Sequence, residues 1–225
     1  IPGMAFDSIR GVTVMYGGVD GVLNILRDHW EYNGVTWTKI RIPSAFKPTA
    51  RNRASMCYDS ARLRTILFGG YDSAKGVVGD TWEFNGTIWN QVVTPTSPPG
   101  RQDQGMAYDP VRNRTVMYGG SSGGDLGDTW EYDGTTWTQM TPANSPPAMH
   151  GVELCYDTVR KKVVLFGGHG SAVFDTTWEW DGVNWVLIPT PTLPANREQH
   201  AITHDSNRGK TIVFGGTHGG ADTWE

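Results

Sequence analysis

A short unit recurs five times along this chain, and this repetition constrains the fold more than any other feature. An aromatic residue followed by two glycines ends each unit, and the second glycines are Gly18, Gly70, Gly120, Gly168 and Gly216. Successive units are therefore 52, 50, 48 and 48 residues apart. A unit that returns in this way is one supersecondary element, and neighbouring copies must stack to bury their apolar faces. We expect a single domain spanning 1–225, with copies at about 1–50, 51–100, 101–148, 149–196 and 197–225.

Four short segments in each copy have the composition of β-strands. In the third copy these are 105–109, 114–120, 128–134 and 136–140, which we call strands a, b, c and d. They are rich in aromatic and β-branched residues and are bounded by Gly, Asp, Asn or Pro. The sequence therefore predicts an all-β fold of five four-stranded antiparallel blades. The fifth copy stops inside strand c at Glu225, so we expect that blade to lack its outer strand within this chain.

An Asn-Gly or Asp-Gly pair separates strands c and d in four copies. The pairs are Asn33-Gly34, Asn85-Gly86, Asp133-Gly134 and Asp181-Gly182. Such pairs favour type I′ hairpin turns, which need positive φ at both central residues. A tryptophan lies on each side of the turn, as Trp130 and Trp137 do in the third copy, and we expect the two to pack as a cross-strand or diagonal pair. Their strict register favours packing between blades over ligand binding.

An aspartate and an arginine three residues later recur between strands a and b in all five copies. We expect the arginine to pair with that aspartate or with the glutamate that follows the strand-c tryptophan, since Asp also favours turns by accepting backbone amides. Repetition in every copy indicates scaffold chemistry. The pairs are Asp7/Arg10, Asp59/Arg62, Asp109/Arg112, Asp157/Arg160 and Asp205/Arg208, and the glutamates are Glu31, Glu83, Glu131, Glu179 and Glu225.

These segments together resemble the kelch-repeat family. The stretches "REQH" (197–200), "TIVFGG" (211–216) and "DTWE" (222–225) follow the family's order, although Met149 replaces the arginine in the fourth copy and the histidine occurs only at His200. The resemblance covers the whole chain, and it is strongest to bacterial exported kelch proteins; the central domain of galactose oxidase has the same fold. It implies a β-propeller whose blades close around a channel, and an extracellular or cell-surface location. It does not imply one activity.

Composition excludes two classes of partner. The net charge is -4 and the pI about 5.9, so nucleic acid is not expected, because phosphate binding needs clustered basic residues. The apolar runs are far shorter than the roughly 20 residues of a membrane span. Cys57 and Cys155 take the register of Ala5 and Ala107 and are expected to be buried thiols, so the copper and Cys–Tyr chemistry of galactose oxidase is not indicated.

The connections divide between two faces of the predicted blades. The a–b and c–d turns share one face, the turn face, and are nearly identical between copies. The b–c and d–a loops share the other, the variable face, and differ between copies, which is where repeat proteins concentrate function. The ligand-binding residues that we predict there are Arg53, Tyr71, Asp72, Gln104, Asp125, His150, His169, His200 and His218.

The sequence favours a non-enzymatic module that binds a protein or a glycan on the variable face, or one that assembles. The alternative is a carbohydrate-active enzyme such as a sugar mutarotase or an oxidase-like protein, but no catalytic acid–base pair stands out from the repeated carboxylates. The histidine spacing matches no metal motif, so we expect neither a metal site nor a cofactor.

The unpaired edge of the fifth blade suggests assembly. Residues Asp222, Thr223, Trp224 and Glu225 belong to a strand c without an outer neighbour in this sequence. An open edge templates another strand, so we expect β-augmentation by residues beyond 225, by residues before Ile1 or by another subunit. The last source would give a homo-oligomer or a filament.

Overall fold

The computed structural model describes residues 1–218 and 220–225, and these residues form an all-β structure. A single 3₁₀ turn at Ser44–Phe46 is the only helical element among them. No helix in this part of the chain has the length and apolarity needed to cross a membrane.

The strands follow the predicted repeat. Blades 1 and 2 contain β1 (Gly3–Asp7), β2 (Val12–Tyr16), β3 (His29–Tyr32), β4 (Trp37–Ile40), β5 (Arg51–Asn52), β6 (Ser55–Asp59), β7 (Arg64–Phe68), β8 (Tyr71–Asp72), β9 (Gly76–Val77), β10 (Thr81–Phe84) and β11 (Trp89–Val92). Blades 3, 4 and 5 contain β12 (Gly105–Asp109), β13 (Arg114–Tyr118), β14 (Thr129–Tyr132), β15 (Trp137–Met140), β16 (Glu153–Asp157), β17 (Lys162–Phe166), β18 (Thr177–Trp180), β19 (Trp185–Ile188), β20 (Ala201–Asp205), β21 (Lys210–Phe214) and β22 (Thr223–Trp224).

Each blade is an antiparallel sheet with its strands in chain order. The four-stranded sheets are β1-β2-β3-β4, β6-β7-β10-β11, β12-β13-β14-β15 and β16-β17-β18-β19. The fifth, β20-β21-β22, has three strands, as predicted, and β5-β8-β9 is a small extra sheet beside blade 2. The chain divides into two compact units, 1–102 with 133–137 and 103–132 with 138–225, which we describe separately. Closure of five blades around one channel stays a prediction.

In blades 2, 3 and 4 the tryptophan that opens strand d packs against the preceding blade, whereas Trp37 of blade 1 is 40% exposed. Trp185 of blade 4 donates its indole N–H to Thr129 Oγ1 of blade 3 at 2.9 Å, and its ring meets Tyr118 edge-on at 5.4 Å. Trp89 of blade 2 packs in the same way on Tyr16, and its indole N–H donates to Nδ1 of His29, the residue that replaces the threonine in blade 1. These tryptophans are about 1% exposed, so their expected role in blade packing is confirmed.

Within the hairpins, the residue directly opposite the strand-d tryptophan is the last residue of strand c, not the strand-c tryptophan that recurs in every copy. Register places Trp37 opposite Tyr32 and Trp185 opposite Trp180. The ring centroids of these pairs lie 5.1 and 5.4 Å apart. The strand-c tryptophan is two residues earlier on the same face and therefore diagonal to the strand-d one.

The prediction of type I′ turns is wrong. Only the glycine of each pair has positive φ, with values of 91° at Gly34 and 99° at Gly182. The preceding Asn33 caps the turn instead, because its Oδ1 accepts the backbone N–H groups of Val35 and Thr36. Glycine is thus the first central residue, as in type II′ turns, and the Asn or Asp side chain replaces the backbone acceptor.

The repeated aspartate, arginine and glutamate form the network that the sequence predicts. In blade 1, Arg10 Nε lies 2.7 Å from Asp7 Oδ2, and its Nη1 lies 2.8 Å from Glu31 Oε1. Arg112 makes the same two contacts in blade 3 and also covers Gly182 of the next blade, where an added Cβ would lie 2.7 Å from its Nη1. These contacts join the turns of neighbouring blades on the turn face. Both cysteines are buried, as expected, and no disulfide links them.

His200 was predicted as a surface ligand, and the structure places it in the interior instead. Its side chain lies edge-on to Phe166 at 5.6 Å, and the residue is 4% exposed. Neither ring nitrogen has a hydrogen-bond partner. Burial and, to a smaller extent, the charge of Arg197 lower the pKa of His200 to about 4. The ring is a neutral packing group that a ligand on the variable face cannot reach.

The buried imidazole makes stability depend on pH. Between pH 6.5 and about 4, His200 is protonated in the unfolded chain but stays neutral in the folded chain. The free energy of unfolding therefore falls as the pH falls through this window. The slope from this residue is at most about 1.4 kcal/mol per pH unit. In His200→Leu this part of the acid slope should disappear, as measured by denaturant unfolding at pH 7, 6, 5 and 4.5. His218→Leu, at an exposed histidine, should keep the wild-type slope; equal slopes in all three proteins would contradict the assignment.

Candidate functional site

The b–c and d–a loops meet on one face through short β-bridges. In blade 2, Asn52 of β5 pairs with Tyr71 of β8. The same two repeat positions pair His150 with His169 in blade 4 and Glu198 with Thr217 in blade 5. Backbone pairing therefore fixes which residue of one loop faces which residue of the other, while the side chains differ from blade to blade.

A second repeated backbone feature positions the d–a loops. Residues Arg53, Asp103, Gly151 and Gln199 share one repeat position and have φ of 56°, 55°, 62° and 53°. The Gly151 N–H donates to Asp103 O at 2.8 Å, and the Gln199 N–H donates to Gly151 O at 2.9 Å. Left-handed backbone at residues with a Cβ is uncommon and costs energy, so these contacts hold the loops in a defined conformation.

Four polar side chains converge where these loops meet in the second unit. His150 Nδ1 lies 2.6 Å from Asp125 Oδ1, and its Nε2 lies 3.7 Å from Glu198 Oε2. Nδ1 of His169 is 3.4 Å from Glu198 Oε1, and the two imidazole rings are 5.2 Å apart. We call these four residues the His–carboxylate cluster. The side chains of His150, Asp125 and Glu198 are 28%, 31% and 13% exposed, so the cluster lies in a partly enclosed position that solvent can reach.

The cluster contains three residues that the sequence analysis singled out, Asp125, His150 and His169. Glu198 was missed, although it lies in the quoted "REQH" segment. Aligning the copies with one another gives the signal, because Asn52, Gln102, His150 and Glu198 share one position and Val19, Tyr71, Ser121, His169 and Thr217 share another. What the sequence could not supply is the pairing between these two positions.

The other predicted residues have different surroundings. Tyr71 is 39% exposed on β8, and Arg53 and His218 are exposed. Asp72 is 3% exposed, and its Oδ1 accepts the N–H groups of Ala74 and Lys75, so it shapes a turn. Gln104 is 1% exposed. Asp72, Gln104 and His200 are thus not placed to touch a ligand, and a binding role for the exposed residues stays a prediction.

Glu153 is a second residue that the sequence analysis passed over. It opens strand a of blade 4, where the other blades have Gly3, Ser55, Gly105 and Ala201. Burial and, to a smaller extent, the negative charge of Asp103 raise the pKa of Glu153 to about 8. This carboxyl group is therefore mostly protonated at neutral pH, which marks an unusual environment at a non-repeated position.

Of the residues of the predicted assembly edge, Asp222 and Glu225 take part in the repeated ion pairs, and Trp224 lines a cavity. Asp222 accepts hydrogen bonds from the buried Arg197 and from the indole N–H of Trp224, which together lower its pKa to about 2. Glu225 pairs with Arg208. Beside them, a cavity of about 500 Å³ lies between blades 4 and 5; its lining includes Phe166, Thr177, Ile188, Val213 and Trp224.

Comparison with known protein families agrees with the fold. The family described as "KLHDC2/KLHL20/DRC7 Kelch-repeats domain" matches residues 3–168, which is most of the chain. No curated protein gives a significant match. The match spans the first three blades and reaches the Gly-Gly doublet of the fourth, and the same blade architecture continues to residue 225. The chain belongs to the kelch-repeat family.

Proposed function

We propose that this chain is a non-enzymatic interaction module that binds a protein partner through its variable face. The kelch family supports an interaction role. The observation that carries the proposal is the His–carboxylate cluster, because its four side chains come from non-repeated loop positions and remain partly exposed. The turn face, in contrast, uses its charged groups in ion pairs that repeat from blade to blade.

The chemistry of the variable face suits a polar partner surface. In the second unit the carboxylates of Asp125 and Glu198 can accept hydrogen bonds, and in the first unit the exposed Arg53 and Tyr71 present a guanidinium and an aromatic ring. Charged groups at the rim of an interface set partner choice and encounter rate more than affinity. Glycan binding is the other function that this face allows. The proposal also places the module outside the cell or on its surface, as the resemblance to exported kelch proteins implies.

Site-specific photo-crosslinking tests the proposed face. A photoreactive amino acid at Tyr71 or His218 should crosslink a protein in extracts of the source cells, whereas the same group at Val35 or Val183 should not. Val35 and Val183 are 87% and 66% exposed and lie in the c–d turns. The double change Asp125→Ala and Glu198→Ala should lower the crosslink yield from His218 at least fivefold while leaving the circular dichroism spectrum unchanged.

Two results would contradict this proposal. Equal crosslinking from the turn-face positions would show that repeat variability does not mark the binding face. Binding to a glycan array that the double change abolishes, without any crosslinked protein, would replace the protein partner with a glycan.

The cavity between blades 4 and 5 supports a second function, the binding of a β-strand that pairs with blade 5. Where a blade has its strand d, the strand-d tryptophan contacts two residues of the preceding blade: an aromatic at the end of strand b and a polar residue at the start of strand c. Trp185 of blade 4 contacts Tyr118 and Thr129 of blade 3 in this way. The equivalent residues in blade 4 are Phe166 and Thr177, and both line the cavity. We propose that this cavity accepts a tryptophan on a strand that pairs with β22, supplied by a further segment of the polypeptide or by another subunit.

A peptide with the sequence of a strand d provides the probe. A labelled peptide of residues 135–142, "TTWTQMTP", should bind the chain, and its Trp137→Ala version should not, as followed by fluorescence anisotropy. Thr177→Val should weaken binding about fivefold, because one hydrogen bond contributes about 1 kcal/mol. Thr129 already accepts the indole N–H of Trp185, so Thr129→Val should leave peptide binding unchanged. Equal binding of both peptides, or an equal effect of both threonine changes, would contradict strand capture at this cavity.

A further inference from the structure

We propose that His150, His169 and Glu198 bind one Zn²⁺ ion, with Asp125 positioning His150. Their ligand atoms all lie within 4.8 Å of one another. Two imidazole nitrogens and one carboxylate, with a fourth position left for water or a partner's group, are a ligand set that Zn²⁺ takes in proteins. The inference does not depend on the proposed function, because zinc binding is a property of the chain alone.

The distances are close to those that the metal requires. Zinc bonds of about 2.0–2.1 Å in tetrahedral geometry place neighbouring ligand atoms about 3.3 Å apart. The Glu198 carboxylate oxygens lie 3.4 Å from His169 Nδ1 and 3.7 Å from His150 Nε2. All three ligand atoms lie within 4.8 Å of one another, so the longest separation must shorten by at most about 1.5 Å, which rotation of partly exposed side chains allows.

Asp125 selects the tautomer of His150 that can bind metal. At 2.6 Å, its carboxylate accepts a hydrogen bond from Nδ1 of the imidazole. With the proton held on Nδ1, the lone pair of Nε2 faces the Glu198 carboxylate. A lone pair and a carboxylate repel each other unless a proton or a cation lies between them. A carboxylate that orients a histidine ligand in this way is the usual support of protein zinc sites.

The backbone holds the ligands in place before any ion binds. His150 and His169 exchange two backbone hydrogen bonds of 2.8 Å, so they lie directly opposite each other in one antiparallel β-bridge. Gly151 lets the third ligand approach, because a Cβ on this residue would lie 3.0 Å from Glu198 Oε2. The Gln199 N–H also donates to Gly151 O, which ties the residue after Glu198 to the residue after His150. Such preorganisation reduces the entropy lost on binding.

Calorimetric titration of the tag-free, chelator-treated chain with ZnCl₂ tests the inference. We expect one ion per chain with a dissociation constant in the micromolar range or tighter, and an increase in melting temperature with added zinc, because a ligand of the folded state stabilises it. His169→Ala and Glu198→Gln should each weaken binding at least tenfold, and Asp125→Asn should weaken it about 10–100-fold. The control His218→Ala should bind as the wild type does.

Cobalt substitution adds a readout of geometry, since a tetrahedral Co²⁺ site absorbs strongly in the visible range. The proposed site would be overturned if the wild type does not bind zinc stoichiometrically. It would also be overturned if His169→Ala and Glu198→Gln bind zinc as tightly as the wild type does. A result of that kind would assign a shared proton, rather than a metal, to the space between His150 and Glu198. Unchanged affinity in Asp125→Asn would overturn the positioning role. Melting temperatures measured in chelator show whether each variant is folded.

Discussion

A buried arginine shortly before strand a joins neighbouring blades, and the packing of one blade on the next depends on it. The guanidinium of Arg51 bonds to Asp80 through two hydrogen bonds of 2.6 and 2.9 Å and also donates to Gly69 O, all within blade 2. Its backbone bonds to blade 1, because Arg51 O accepts the Gly18 N–H and its N–H donates to Leu26 O. Arg197 repeats this arrangement between blades 4 and 5 with Asp222. One residue thus fixes two adjacent sheets in register.

We call this contact of one arginine with two blades the arginine staple, and it explains the glycine doublet. The first glycine, such as Gly17, has φ of 71°, and a Cβ there would lie 2.2 Å from Arg51 O of the next blade. Glycine is required because both the left-handed backbone and the close approach exclude a side chain. The residue at this repeat position accepts a backbone hydrogen bond from the second glycine of the preceding blade, whether it is Arg197 or Met149, and the next residue is Glu198 in blade 5 and His150 in blade 4. The candidate site is therefore held by rigid repeated elements, although its side chains come from variable positions.

The fold was predictable because it rests on patterns that repeat five times. The blade count, the strand order, the two faces and the Asp–Arg–Glu network all follow from register. The turn type was not predictable from Asn-Gly alone, because the Asn33 side chain takes the hydrogen bonds that a type I′ turn would give to the backbone. Burial of His200 and Asp72 was missed for a similar reason: a polar residue on a loop can point inward, and a one-dimensional pattern does not show direction.

The candidate site was only partly predictable. Asp125, His150 and His169 stood out because they break the repeat, but Glu198 belongs to a segment that otherwise matches the family pattern. The contact between residues 125, 150, 169 and 198 joins loops that are 19 to 29 residues apart along the chain. No spacing motif covers such separations, and only the bridge pairing of successive blades brings these residues together.

Blade 4 provides a natural test of the staple. There Met149 replaces the arginine, and Thr176 replaces the aspartate and accepts the Trp178 indole N–H at 3.3 Å. A double-mutant cycle that transplants this pair into blade 2 measures the coupling directly. Arg51→Met alone should lower the free energy of unfolding by about 3 kcal/mol, because it leaves Asp80 without its ion-pair partner. Addition of Asp80→Thr should recover part of that loss, with a coupling energy of about 1–3 kcal/mol. Additive effects of the two changes, within about 0.5 kcal/mol, would contradict the claim that this ion pair holds the blades in register.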